Sequence, residues 1–309
     1  MFKAITTFTA VATAETLIFS DEFDKFDLKT WKHEITMGGG GNWEFEMYAN
    51  NRTNSFVQDG KLFIQPTLTS EFMGEDAMKT GELNLWGGTP ADLCTSNAFY
   101  GCERSAAGSG NYLNPIRSAR VRTAESFSFK YGRVEVEAQL PKGDWIWPAI
   151  WMLPTDQQYG PWPASGEIDI MESRGNGASC TGLGNNHYAS TLHWGPAWNQ
   201  NKYELTHAEY MLESGSLSDG MHTYGLMWTP DRLFTYIDSE ENVVLDVDMS
   251  LESFWEFGGF NDDIDNPWKG AEMNAPFDQE FYLIFNVAVG GINGYFPDGQ
   301  CGKPWSDMS

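Results

Sequence analysis

Residues 131–140 read Tyr-Gly-Arg-Val-Glu-Val-Glu-Ala-Gln-Leu. Val134 and Val136 fall on one face of an extended chain, and Arg133, Glu135 and Glu137 on the other, which is the period of a half-buried β-strand. The turn Pro141-Lys142-Gly143 closes it. Comparable short segments recur at 61–66, 224–228, 233–237, 243–247 and 281–289, separated by turns such as Gln58-Asp59-Gly60 and Thr229-Pro230-Asp231. Neither a long amphipathic helix nor a repeat of 20–50 residues interrupts the pattern. The pattern predicts an all-β chain folded as one antiparallel sandwich with long loops. Two stretches, Gly-rich 70–114 and acidic 261–276, read as surface insertions of the kind that shape a cleft.

The 309 residues carry 43 acidic and 19 basic side chains, a formal charge of −24. Such a chain repels nucleic acid, anionic membranes and sulfated polymers, so a neutral partner fits best. No apolar run reaches the ~18–20 residues of a membrane span. Residues 1–14 read as a short, Thr-rich secretory leader ending in Ala12-Thr13-Ala14, which predicts an extracellular chain with one domain over 15–309. Cys94 and Cys102 are eight apart in a Gly/Ser/Asn-rich stretch, where a disulfide would pin the loop. Cys180 and Cys301 could pair, although four cysteines allow three connectivities. No C-x-x-C spacing occurs, so no metal site of the zinc type is expected. Asn51-Arg52-Thr53 is a glycosylation sequon open to a secreted chain.

The chemistry concentrates at 166–172, Gly-Glu-Ile-Asp-Ile-Met-Glu. Glu167 and Asp169 are two apart and share a face; strict alternation would send Glu172 to the opposite, buried face, where an unpaired carboxylate is costly. One extra residue, a β-bulge at Ile170–Met171, returns Glu172 to the face of the other two. Two adjacent carboxyls, one ionised and one protonated, are what retaining glycoside hydrolysis requires. An exposed acidic strand and a Ca²⁺ site are the competing readings of the same residues. Upstream, Asp-Trp-Ile-Trp-Pro-Ala-Ile-Trp-Met-Leu-Pro (144–154) sets Trp147 and Trp151 four apart, and indole faces suit the C–H faces of sugar rings. Of Trp145, Trp147, Trp151 and Trp162, one or two are expected in the core. His193, in Thr191-Leu192-His193-Trp194, could bring an imidazole to the acids.

These motifs together resemble glycoside hydrolase family 16, in its branch of invertebrate endo-β-1,3-glucanases (laminarinases) and β-1,3-glucan recognition proteins. The resemblance rests on WPAIWMLP (147–154), GEIDIMESRGN (166–176) and TLHWGP (191–196), extended by YANNRTNSFVQDGKLFIQP (48–66), SARVRT (118–123), MHTYGLMWTPDRLFTYID (221–238) and FNVAVGGINGYFPDGQCGKPWSD (285–307). It covers nearly the whole chain after residue 15. It implies a concanavalin A-like jelly-roll sandwich with a concave substrate cleft and a double displacement that retains anomeric configuration. By motif position, Glu167 resembles the nucleophile, Asp169 the assisting carboxylate and Glu172 the acid/base. Trp147 and Trp151 match tryptophans beside the cut bond, His193 the histidine near the acids, and Arg120 and Asn50 polar contacts to the sugar on the glycone side.

The inserted Met171 separates this chain from the lichenase-like E-x-D-x-E branches, as in laminarinases, agarases and carrageenases; the charge disfavours a sulfated substrate. The resemblance therefore implies endo-hydrolysis of neutral β-1,3-glucan by a monomer, with no cofactor required. The alternative it leaves open is a recognition protein that has kept the fold and lost catalysis, as such relatives have typically replaced a glutamate. Family members usually continue past Lys303-Pro304-Trp305 with a last strand, which in some carries a ligand for a structural Ca²⁺. The expectation is a domain without that strand and without a firm calcium site.

Overall fold

A computed structural model of the chain describes residues 15–87, 93–261 and 263–307; the leader expected at 1–14 lies outside them. Eleven strands build two antiparallel sheets. Numbered in chain order, they are β1 (Lys32–His33), β2 (Arg120–Arg122), β3 (Gly132–Ala138), β4 (Ile146–Pro154), β5 (Glu167–Ser173), β6 (His187–His193), β7 (His207–Met211), β8 (His222–Trp228), β9 (Arg232–Ile237), β10 (Ser239–Asp248) and β11 (Phe281–Val289). The seven-stranded sheet runs β1-β2-β11-β4-β5-β6-β7, and the four-stranded sheet β3-β8-β9-β10. The strands expected from period-two patterning are all present, most of them one to four residues longer or shorter at an end.

The sheets stack face to face, as a jelly-roll sandwich must if each is to bury its apolar side. Ile150 and Met152 of β4, Ile168, Ile170 and Met171 of β5, and Tyr188 and Leu192 of β6 meet Val134, Tyr224, Leu226, Trp228, Leu233 and Leu245 from the other sheet. Alternation along the same strands sends Trp147, Trp151, Glu167, Asp169 and Glu172 to the outer face of the larger sheet. Above that face lies a small three-stranded sheet, Glu46–Tyr48, Ile116–Ser118 and Thr67–Leu68. Ser118 Oγ anchors it by donating to the Val287 carbonyl of β11 at 2.6 Å.

Both disulfides form, Cys94–Cys102 and Cys180–Cys301. The two supposed surface insertions are more structured than their composition implies. Stretch 70–114 carries a hairpin, Glu82–Asn84 with Glu103–Ser105, and shares an apolar cluster of Met37, Met47, Met78, Leu83, Ala106 and Leu113. In 261–276, Trp268 is buried against Trp194, Trp255 and Phe260, and its indole N–H donates to the Ala164 carbonyl at 2.7 Å. Composition misjudged this loop because Asp263, Asp265 and Glu272 face solvent while its one Trp plugs the end of the core. Trp268→Ala should therefore cost about 3–5 kcal/mol in urea unfolding, whereas Asp265→Ala, on the exposed side of the same loop, should stay within about 0.5 kcal/mol.

Candidate active site

The extra residue in β5 is present. Asp169 pairs with Thr191 and Glu172 with Ala189 of β6, so Ile170 and Met171 together oppose Ser190 alone; on the other side, Trp151 pairs with Asp169 while Ile150 pairs with Met171. This is a bulge. Ser190 Oγ donates to the Ile170 carbonyl at 2.7 Å and accepts from Thr235 Oγ1 at 2.8 Å, so the displaced backbone group keeps a partner. Both bulge side chains are 1% exposed in the core, and Glu172 emerges on the face of Glu167 and Asp169.

Each acid is held from a different direction. Trp162 Nε1–H donates to Glu167 Oε2 at 3.0 Å, and Trp147 Nε1–H donates to Glu172 Oε1 at 2.9 Å. Asp169, between them and 2% exposed, shares a hydrogen bond with Glu167. His193, register partner of Glu167 across β5 and β6, places Nε2 3.2 Å from Asp169 Oδ2 and 3.8 Å from Glu167 Oε1. Burial, joined at Glu167 and Glu172 by the charge of Asp169, pushes all three carboxyls up to about 8, against the opposing pull of His193 and an indole donor on each outer acid and of Arg174 on Glu172. The set can hold a proton at neutral pH, which a general acid needs. The same atoms of Glu167, Asp169 and His193 lie within 4.8 Å of one another, compact enough for a cation. The hydrogen bond between Glu167 and Asp169 and the one Glu167 accepts from Trp162 make the two acids a proton-sharing pair with His193 beside it, and no metal is assigned to them.

Trp147 and Trp151 both reach the acid-bearing face, in different settings. Tyr295 stacks on Trp147 with centroids 3.7 Å apart, and Arg174 lies 3.8 Å over Tyr295 while donating to its carbonyl. One indole face of Trp147 is thus covered, and its N–H is its contribution to Glu172. Trp151 Nε1–H donates to Asn286 Oδ1 at 2.6 Å, and Asn286 Nδ2 donates to Tyr48 Oη at 3.1 Å. Arg120 lies 4.5 Å over the Tyr48 ring and 5.2 Å from that of Trp151, and pairs with Glu34 at 3.2 Å. Arg120 thereby lies beside Trp151, whose backbone is the register partner of Asp169. Asn50 sits two residues past Tyr48, its side-chain oxygen accepting from Arg52.

Sequence reasoning did not single out Trp162, Tyr295 or Asn286 as site residues. Asn286 did carry a signal, as the lone polar residue in Phe-Tyr-Leu-Ile-Phe-Asn-Val-Ala-Val. Tyr295 carried none, since it meets Trp147 only through the tertiary fold.

The model of glycosyl hydrolases family 16 matches residues 104–254. A beta-1,3-glucan-binding protein of Penaeus monodon is 53% identical over 294 residues, covering 95% of this chain and 79% of that protein. The chain belongs to glycosyl hydrolase family 16. A beta-1,3-glucan-binding protein of Tenebrio molitor is 32% identical, and the chain spans 58% of its length. Among solved structures, the laminarinase from Rhodothermus marinus superposes with a TM-score of 0.58 at 26% identity, over 89% of this chain and 86% of that one.

The raised carboxyls have a stability consequence with a fixed sign. A carboxyl that ionises near 4.5 when unfolded and near 8 when folded destabilises the native state progressively as pH rises between those values. Glu172→Gln should match the native chain in melting temperature at pH 4 and exceed it increasingly up to pH 8, where the gain levels off. Calorimetry across that range reads the gap; a gap that is largest at pH 4 would contradict the burial of Glu172.

Proposed function

We propose that this chain binds β-1,3-glucan across the acid-bearing face of its larger sheet and hydrolyses it internally with retention of configuration. The observation that carries the reading is the bulge at Ile170–Met171, which sets three carboxyls on one face with an indole donor on each outer one. Glu172 protonates the glycosidic oxygen as the bond to C1 breaks. Glu167 attacks C1 from the other side of the ring and forms a glycosyl-enzyme, and Asp169 holds the shared proton away from it. Water, deprotonated by Glu172, then releases the sugar and restores both acids. Trp151, Arg120 and Asn50 are assigned to sugar contacts, and the strongly acidic surface suits a neutral polymer.

The same reading places the chain outside the cell. Two disulfides fit an oxidising compartment, and among the described residues no helix is long and apolar enough to cross a membrane. Every assigned group belongs to one chain, so a monomer suffices.

A second reading, recognition of β-1,3-glucan without turnover, is favoured by a specific observation: the Penaeus monodon and Tenebrio molitor relatives are named for glucan binding. Both readings share the polymer and the cleft. Reducing-end release from laminarin, with carboxymethyl-cellulose as control and laminarin binding measured on the same sample, separates them. Hydrolysis predicts release that falls at least ~10³-fold in Glu167→Gln while binding persists; binding without release in the unaltered chain assigns it to recognition. Glu172→Gln should lose laminarin turnover comparably yet partly spare an activated aryl glycoside, whose leaving group needs little proton help.

A further inference from the structure

His193 sits between the acids and a loop that the mechanism leaves unused. Its ring is flanked by Trp162 and Tyr203, with centroids 5.5 and 5.4 Å away. Its Nε2 faces Asp169, and its Nδ1 lies 2.7 Å from the side-chain nitrogen of Asn201. The loop from Trp194 to Asn201 turns back tightly enough to bring that amide home. A Cβ on Gly195 would stand 2.2 Å from the Gln200 carbonyl oxygen, so only glycine fits there, and Lys202 N–H closes the turn on the Trp194 carbonyl.

The orientation of the Asn201 amide follows from a group that can only donate. The backbone N–H of Trp194 donates to Asn201 Oδ1 at 3.2 Å, so Nδ2 must be the atom turned to His193. An amide nitrogen is itself only a donor, so Nδ1 of His193 must be the acceptor. The single proton of the neutral imidazole then resides on Nε2. A second observation agrees: Asp169 Oδ2 is buried and has no hydrogen-bond partner, and Nε2, 3.2 Å away, is placed to bring a proton to it. The opposite tautomer would oppose two donors at Nδ1 and a lone pair to a carboxylate oxygen at Nε2, and lose both contacts.

We propose that Asn201 is a positioning residue that fixes the His193 proton on Nε2, so that His193 supplies a donor to Asp169 and keeps the proton shared by Asp169 and Glu167 in place. Its effect on turnover rests on the hydrolytic reading above; the tautomer does not. Asn201→Asp preserves the acceptor for Trp194 N–H but replaces the donor facing Nδ1 by an acceptor. Asn201→Ala removes both. If Asn201 only closes the loop, Asp restores what Ala loses. If it sets the tautomer, Asp fails as Ala does.

The test is ¹⁵N NMR on the full chain with labelled histidine, without ligand, near pH 8. Loss of a signal in His193→Gln identifies His193 among the five histidines. The expected result is a protonated Nε2 with bare Nδ1 in the native chain, and a protonated Nδ1 in Asn201→Asp. In parallel, kcat on laminarin should fall about 10–100-fold in both Asn201 variants with KM within about twofold. A native chain with the proton on Nδ1 overturns the proposal, as does an Asn201→Asp variant with unchanged tautomer and turnover. A native chain that binds laminarin without cutting it fails the hydrolytic reading alone, and the NMR result still decides the role of Asn201.

Discussion

One surplus residue in β5 organises the acid face. A strand has a strict two-residue alternation, so an acid five positions after another belongs on the wrong side of the sheet. Placing Ile170 and Met171 opposite Ser190 alone absorbs the odd step and sinks two apolar side chains into the core at once. Bulging therefore adds core contacts in the same move that gathers the carboxyls. The freed carbonyl is held by Ser190, which Thr235 of the opposite sheet supports in turn, so the geometry of the acids is referred to the sandwich as a whole.

Gathering acids on a buried face opposes stability, and the surroundings show how the opposition is met. The side-chain donors bonded to the outer two are neutral indoles, with one imidazole beside the middle acid. The guanidinium of Arg120 is kept one layer away, occupied by Glu34 and the ring of Tyr48. A cation in direct contact with the acids would pull their proton affinities down and ionise all three. Neutral donors hold the carboxyls in position while letting them stay partly protonated, which is the condition for one to act as an acid and its neighbour as a nucleophile.

The gathering of the acids, their bulge, the placement of Trp147 and Trp151 on the same face and most strands were legible in the chain itself, because each depends on local spacing along one or two strands. Alternation alone required the bulge once Glu172 was taken as functional. Illegible were the contacts made by distant segments: Tyr295 on Trp147, Asn286 under Trp151, and Asn201 behind His193, which needs Gly195 to turn the loop home. Trp268 drew no separate reading within the acidic stretch 261–276, for a related reason. Its neighbours are acidic, and local composition outweighed a single aromatic whose burial is decided by a cavity elsewhere. Asn50 came from motif position, and the structure shows it engaged with Arg52.

The Cys180–Cys301 bond joins the loop after β5 to the segment that carries Tyr295, across 121 positions of sequence. That segment flanks the Glu172 side of the acid-bearing face through Tyr295, stacked on Trp147, and Trp305 fastens it by donating to the Gly291 carbonyl. A protease that cuts any exposed turn between the two cysteines leaves both pieces covalently joined. The flanking segment thus has a second attachment independent of chain continuity. A molecule nicked there would still hold the Tyr295 segment to the loop after β5.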